Sequence, residues 1–260
     1  MPDNSVYSLN PTAELSDVQI PDHRGEPYIA VLDRLHRNLS PKTYFEIGSQ
    51  AGQSLALARC ASLAVDPDFR IASNVFTGKP VCHLFQMGSD DFFANHDPTK
   101  ILNGRIDLAF LDGMHWFEYL LRDFINTEPY TKPNSIIALH DCVPLDSYSV
   151  RRSIHDTTNQ EVSQHPEWWA GDVWKVLYIL RQYRPELKIY VFDAPPTGLV
   201  LITGLDPSST LLKENYFRIV EEMKDKNLAD IGVSKFAESL SVRPTSSLTT
   251  RSDISKLFWL

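Results

Sequence analysis

Two aspartates stand where apolar runs stop. The run "IDLAFLD" ends at Asp112 and the run "SIIALHD" ends at Asp141. Each has a histidine close by. His115 follows Asp112 by three residues and His140 directly precedes Asp141. Two carboxylates brought together either share a proton or hold a cation. Either outcome requires that the two runs become neighbours in space.

A third feature concerns charge. Residues 44–52 read "YFEIGSQAG", an apolar run carrying Glu46 into a turn with Gly48 and Gly52. A glycine-bearing turn between the first strand and helix of a parallel sheet is a nucleotide-binding position. The dinucleotide fingerprint there is G-x-G-x-x-G, whose helix N-terminus receives a pyrophosphate. This chain has E-x-G-x-x-x-G instead. A carboxylate two residues before the first glycine suits a ligand of positive character. S-adenosylmethionine is such a ligand, with an ammonium, a sulfonium and no phosphate. Asp66 ends the next apolar run, twenty residues after Glu46, where an acid can accept both ribose hydroxyls. The later turn "GSDD" offers Asp90 or Asp91 to an adenine amino group, with Ser89 as N-cap of a short helix.

These residues need a scaffold. "PYIAVLDRLHRNL" spaces Ile29, Leu32, Leu35 and Leu39 as a helix, which Pro41 ends. Strands are expected at "TYFEIG", "SLAVD", "VCHLFQMG", "IDLAFLD" and "SIIALHD", and helices at "QSLALARCA", "SDDFFANHD" and "HWFEYLLRDFIN". This alternation implies a doubly wound, mostly parallel sheet covered on both faces. In such a sheet, ligands bind outside the carboxyl ends of the strands. Both Asp112 and Asp141 are expected there. Glu118 and Arg122, four apart, read as a surface pair on the third of those helices. After a helix at "DVWKVLYILRQY", the runs in "LKIYVFDAPPTGLVLITGL" are separated by a turn too short for a crossover. They must be antiparallel. Residues 206–240 read as further helical pieces.

The ordered set Glu46-Ile-Gly-Ser-Gln-Ala-Gly52, Asp66, "GSDD", "FLDG" and the closing hairpin resembles the class I S-adenosylmethionine-dependent methyltransferases over roughly residues 40–205. The resemblance implies a Rossmann-like seven-stranded sheet of order 3-2-1-4-5-7-6 with an antiparallel last strand. It implies a cofactor set of Glu46, Gly48, Ser49, Gly52, Ser54, Asp66, Ser89, Asp90 and Asp112. The stretch "FLDGMHWFEY…SIIALHDCV" is similar to the metal-assisted O-methyltransferases, nearest to bacterial small-molecule enzymes with a D-G-x-H pattern and an H-D pair. By that likeness Asp112 and Asp141 are cation ligands. A Mg²⁺ ion there would lower the pKa of an acceptor hydroxyl, and His115, His140 and Asp141 form the catalytic set, one histidine serving as base. Cys142 stands where the catechol type has an asparagine ligand, and a thiol is a poor Mg²⁺ ligand. Met114 stands where sugar-type relatives often have an acid.

Residues 144–173 break the rhythm of strands and helices. They are expected to be a lid or substrate wall. "HPEWWAGDVWK" falls at its end, and "GDVWK" with a later "PPTGL" resembles a recurring branch of the same bacterial enzymes. Trp169, Asp172, Trp174 and Lys175 are the acceptor-binding candidates, although Asp172 also suits a helix cap. The expected acceptor is a hydroxylated small molecule such as a sugar or glycoside.

Composition sets the outer bounds. The 260 residues are 43% hydrophobic and 22% charged, with net charge -8. That suits one globular domain and opposes a nucleic-acid groove. Three widely spaced cysteines and no leader-like or membrane-length apolar run fit a cytoplasmic protein with free thiols. The expected organisation is a flexible arm over 1–25, a domain over 26–240 and a Ser/Thr-rich tail over 241–260, disordered as far as its apolar "KLFWL" tip. Arm and tip are the surfaces available to a homodimer. Two other readings compete: a nicotinamide-dependent oxidoreductase, disfavoured by the glycine spacing and Glu46, and a non-catalytic nucleotide-binding member of the fold.

Overall fold

The computed structural model describes residues 23–260 apart from 147, 158–159, 164 and 232. Residues 1–22, most of the expected arm, lie outside that range. The chain opens with helix α1 (Tyr28–Leu39), which buries Val31, Leu32 and Leu35. The left-handed Ser40 closes it one residue before Pro41.

Seven strands follow: β1 (Thr43–Ile47), β2 (Ala61–Val65), β3 (Cys82–Phe85), β4 (Ile106–Leu111), β5 (Thr131–His140), β6 (Lys188–Phe192) and β7 (Leu199–Thr203). They form one sheet of order β3-β2-β1-β4-β5-β7-β6. The pairs among β1 to β5 are parallel, and β7 runs antiparallel to both β5 and β6. The sheet order is the one the resemblance implies, and the antiparallel last strand is the one expected from the "DAPPTG" hairpin as well.

Both faces of the sheet are covered, which is why its central strands are apolar without alternation. On one face Phe45, Leu63, Ala109, Leu111 and Ile137 pack with helices α4 (Phe117–Thr127) and α5 (Trp174–Tyr183). On the other, Tyr44, Ala64, Leu108, Phe110 and Ala138 pack with α1. Helices α2 (Ser89–Asn95) and α3 (Pro98–Ile101) lie between β3 and β4. Helices α6 (Leu211–Met223), α7 (Leu228–Ile231), α8 (Val233–Leu240) and α9 (Arg251–Ser255) follow β7.

Several local expectations change. The helix expected at "QSLALARCA" is only a 3-10 turn over Leu55–Leu57. The chain must return from the carboxyl end of β1 to Ala61, which pairs with Thr43 at its start. Eight helical residues would cover about 12 Å, short of the roughly 16 Å taken by a five-residue strand. Extended backbone is therefore needed. Ser89 is not the cap of α2: Gly88 holds that position, and Ser89 Oγ donates to Asp123 Oδ1 at 2.6 Å. Glu118 and Arg122 do not pair with each other. Arg122 grips Asp90, and Glu118 takes Arg152. The tail is ordered rather than disordered. Leu248, Ile254 and Phe258 are buried with α1, and a capping box of Thr250 and Asp253 starts α9. The apolar tip thus docks on its own sheet, where Phe258 meets Tyr190 edge-on.

Asp123 lies on the buried side of α4. Burial pushes its carboxyl up to about 7, with Ser89 and Arg122 opposing and Asp90 adding to the rise. Between about pH 4 and 7 the unfolded chain gives up this proton while the folded chain keeps it. The contribution is therefore present below pH 4 and lost as pH rises toward 7. Asp123→Asn is expected to raise the melting temperature at pH 8 and leave it nearly unchanged at pH 4. The difference between the two chains should reach up to about 4 kcal/mol. Melting curves of both across that range check it, and parallel curves would refute it.

Candidate active site

Sheet register aligns the strand ends that matter. Ile47 pairs with Val65 and with Leu111, and Leu111 pairs with Leu139. Gly48, Asp66, Asp112 and the His140–Asp141 pair therefore leave one edge of the sheet together. The first turn is built at close quarters. Gly48 has φ +84, and a Cβ there would lie 1.9 Å from the Asp112 carbonyl oxygen. Only glycine permits that approach. Gly52 has φ +77 and faces Val75 and Ile71, from a strap that hydrogen-bonds along the turn through Arg70 N to Gln50 O and Ala72 N to Ala51 O.

Asp66 is 6% exposed, and its two oxygens accept from Gln50 N and Asp68 N at 2.8 and 2.7 Å. Each oxygen keeps acceptor capacity. Glu46 differs from the sequence expectation, because both its carboxylate oxygens are already engaged inside the protein. It is fully buried; Oε1 accepts from Ser54 Oγ at 3.0 Å and Oε2 from the Tyr44 hydroxyl. Burial pushes its pKa up to about 7, against the hydroxyls of Ser49, Tyr44 and Ser54. Glu46 and Ser54 thus support the turn from beneath. Asp90 is another correction: Arg122 holds it through both carboxylate oxygens, at 2.7–3.1 Å.

The carboxylate–imidazole cluster forms as expected. His115 Nε2 lies 3.0 Å from Asp141 Oδ2 and 3.7 Å from Asp112 Oδ1. His140 Nδ1 lies 3.3 and 3.4 Å from the same two oxygens. It is 6% exposed and makes no well-directed hydrogen bond. Burial works against a charged His115, but Asp141 and Asp112 outweigh it and hold the ring at about 9. The same balance lifts His140. Asp112 is held below the usual carboxylate range, burial being outweighed by His140 and His115.

Donor atoms of Asp112, His115 and Asp141 all lie within 4.8 Å of one another. Two carboxylates and an imidazole at that spacing fit one divalent cation. Cys142 is turned away from this set, its thiol donating to His140 O at 3.2 Å.

Two partners of the cluster carry no sequence signal of their own. Thr197, from the "DAPPTG" turn, donates its hydroxyl to Asp141 Oδ1. Tyr28, at the start of α1, packs its ring against His140 at a tilt, with ring centroids 4.0 Å apart. Neither position is near Asp141 in sequence, so only the fold reveals them.

"GDVWK" has a different task from the expected one. Asp172, Trp174 and Lys175 are buried at 2–3% exposure and do not line an open acceptor site. Asp172 Oδ1 accepts from Phe117 N, capping α4 rather than α5. Its Oδ2 accepts from Arg152 and from Lys175, at 2.8 and 3.0 Å. Trp174 packs edge-on against Phe236. Of the acceptor candidates, Trp169 alone reaches the cluster, stacked on His115 at 4.8 Å.

A sheet of this order, here with a glycine turn and acidic strand ends along one edge, is the Rossmann-like methyltransferase fold. Residues 45–142, from β1 to just past Asp141, match a family model described as "Methyltransferase domain". No curated protein matches the chain by sequence. Among solved structures it is similar to the S-adenosylhomocysteine-bound methyltransferase PaMTH1 of Podospora anserina, at 14% identity and TM-score 0.48 over 69% of this chain and 78% of that one. It is also similar to the O-methyltransferase TomG of Streptomyces achromogenes, at 12% identity and TM-score 0.45 over 68% and 78%. A third is an O-methyltransferase of Bacillus cereus, at 15% identity and TM-score 0.43 over 75% and 92%. Such scores mark distant likenesses that decide nothing about substrate.

Proposed function

We propose that the protein transfers the methyl group of S-adenosylmethionine to a hydroxyl oxygen of a ring-bearing small molecule such as a sugar or glycoside. The observation that carries this is the single sheet edge shared by the Gly48 turn, Asp66 and the Asp112–Asp141 cluster. Asp66 accepts the ribose hydroxyls, and the backbone of the Gly48–Gly52 turn lies along the amino-acid portion. The acceptor lies over the cluster, walled by Trp169 and the half-exposed Met114. The described residues among 144–173 form that wall. They are tied down by Trp116 Nε1 to Arg152 O and Trp169 Nε1 to Arg151 O.

The reaction is an in-line displacement. The acceptor oxygen forms a bond to the methyl carbon as the carbon–sulfur bond breaks, so the protein's main contribution is orientation and exclusion of water. A divalent cation on Asp112 and Asp141 would offset the negative charge that keeps His140 protonated, and the neutral imidazole could then take the hydroxyl proton. A divalent cation held by Asp112 and Asp141 would supply Lewis acidity, lowering the pKa of the acceptor hydroxyl.

Calorimetric titration of the full chain with S-adenosylmethionine, S-adenosylhomocysteine and NADH tests the cofactor assignment. Binding of the first two with Kd of about 1–100 µM is expected, with at least a tenfold loss in Asp66→Ala. Preference for NADH, or no effect in Asp66→Ala, would overturn it.

A further inference from the structure

The ring of His115 is held from behind by main chain. Its Nδ1 lies 2.9 Å from the Trp169 carbonyl oxygen. A carbonyl only accepts, so Nδ1 carries the hydrogen and donates. Gly171 has φ +64 and packs where a Cβ would lie 1.9 Å from the His115 carbonyl oxygen. Asp172 N donates to that same oxygen at 3.3 Å. The Trp169 indole covers one face of the imidazole. Together, residues 169–172 fix the tautomer and aim Nε2 at Asp141 Oδ2 and Asp112 Oδ1.

An imidazole anchored through one nitrogen to a backbone carbonyl, with the other facing carboxylate oxygens, has the arrangement of a metal ligand. A second observation points the same way. Both ring nitrogens of His140 are buried without a hydrogen-bond partner, and Nδ1 lies within 3.4 Å of both carboxylates.

We propose that His115 is the third ligand of the cation site, with Nε2 joining Asp112 and Asp141, and that the site therefore takes a first-row transition ion of the Mn²⁺, Co²⁺ or Zn²⁺ kind in preference to Mg²⁺. This rests on the cation reading above and names the ion. Mg²⁺ favours oxygen donors and retains several waters, whereas an imidazole nitrogen raises affinity along the transition series. Residues 169–172 are then positioning residues for that ligand.

The test uses the full chain, stripped with a chelator and free of S-adenosylmethionine. Co²⁺ is followed by its visible absorption, and Mg²⁺, Mn²⁺ and Zn²⁺ by calorimetry. The wild type should bind Co²⁺ at least tenfold more tightly than Mg²⁺, each tenfold being about 1.4 kcal/mol. His115→Ala should weaken Co²⁺ by at least about tenfold while leaving Mg²⁺ and S-adenosylmethionine affinities unchanged. His115→Gln, which returns an oxygen donor, should narrow the gap between Co²⁺ and Mg²⁺, and it keeps the test open if the alanine chain does not fold. Equal or tighter Mg²⁺ binding, or unchanged Co²⁺ affinity in both variants, would overturn the third-ligand assignment and leave the cation reading standing. No divalent ion binding to the wild type would overturn both, and binding of S-adenosylmethionine would then show that the cofactor assignment survives.

Discussion

Asp141→Asn is expected to bind S-adenosylmethionine within about threefold of wild type and to lose methyl transfer by at least ~10²-fold. The reasoning starts from the backbone. Asp141 has φ +61, and asparagine is among the few residues that tolerate that region. The fold should survive the change. The substituted amide retains an oxygen for Thr197 but removes the charge that faces His115 and His140. A proton arriving on His140 would then lack its counter-charge, and the cation site would lose one of its two carboxylates. The glycine turn and Asp66 directly follow β1 and β2, away from β5, so cofactor binding should be spared. Release of S-adenosylhomocysteine with a hydroxylated acceptor that the wild type turns over reports the rate, and calorimetry reports the affinity. An undiminished rate would remove Asp141 from the chemistry.

Gly48→Ala is expected to act on both stability and cofactor binding. The added methyl would meet the Asp112 carbonyl oxygen at 1.9 Å, its carbon at 2.4 Å and Gly113 N at 2.7 Å. All three are backbone atoms, so no side chain can swing aside. The positive φ adds strain of its own. Together they should cost about 3 kcal/mol or more, and relaxation would drag the Asp112 loop away from the turn. Gly104→Ala is the control. Its new methyl would have Thr43 Cγ2 as nearest neighbour at 3.8 Å, an ordinary contact. The measurements are melting temperature and S-adenosylmethionine affinity for both chains. Similar behaviour of the two would show that the close approach at Gly48 does not matter.

Much of this was legible in one dimension because it rests on local periodicity. Continuous apolar runs of five or six residues mark strands buried on both faces. Residues that end such runs in a parallel sheet must share an edge, so Asp112 and Asp141 could be paired without coordinates. The short "DAPPTG" turn left no room for a crossover and fixed the antiparallel strand. The same local logic failed at "QSLALARCA", where helix-forming residues yielded to the distance the chain had to travel. It failed again at Glu118 and Arg122, where partners from the first turn of α2 and from residue 152 outcompeted the neighbour one turn away.

The residue types of the candidate site, the succession of strands and helices, and the antiparallel hairpin follow from the sequence by itself, since burial period and turn length are local properties. Only the tertiary structure decided how those residues are used. Glu46 is spent on Tyr44 and Ser54, Asp172 caps a helix 55 residues upstream, and His115 is aimed by the Trp169 carbonyl. A carboxylate or an imidazole has the same chemistry wherever it stands in the chain; which donor reaches it first is a matter of three-dimensional proximity, and burial then makes that choice costly to reverse.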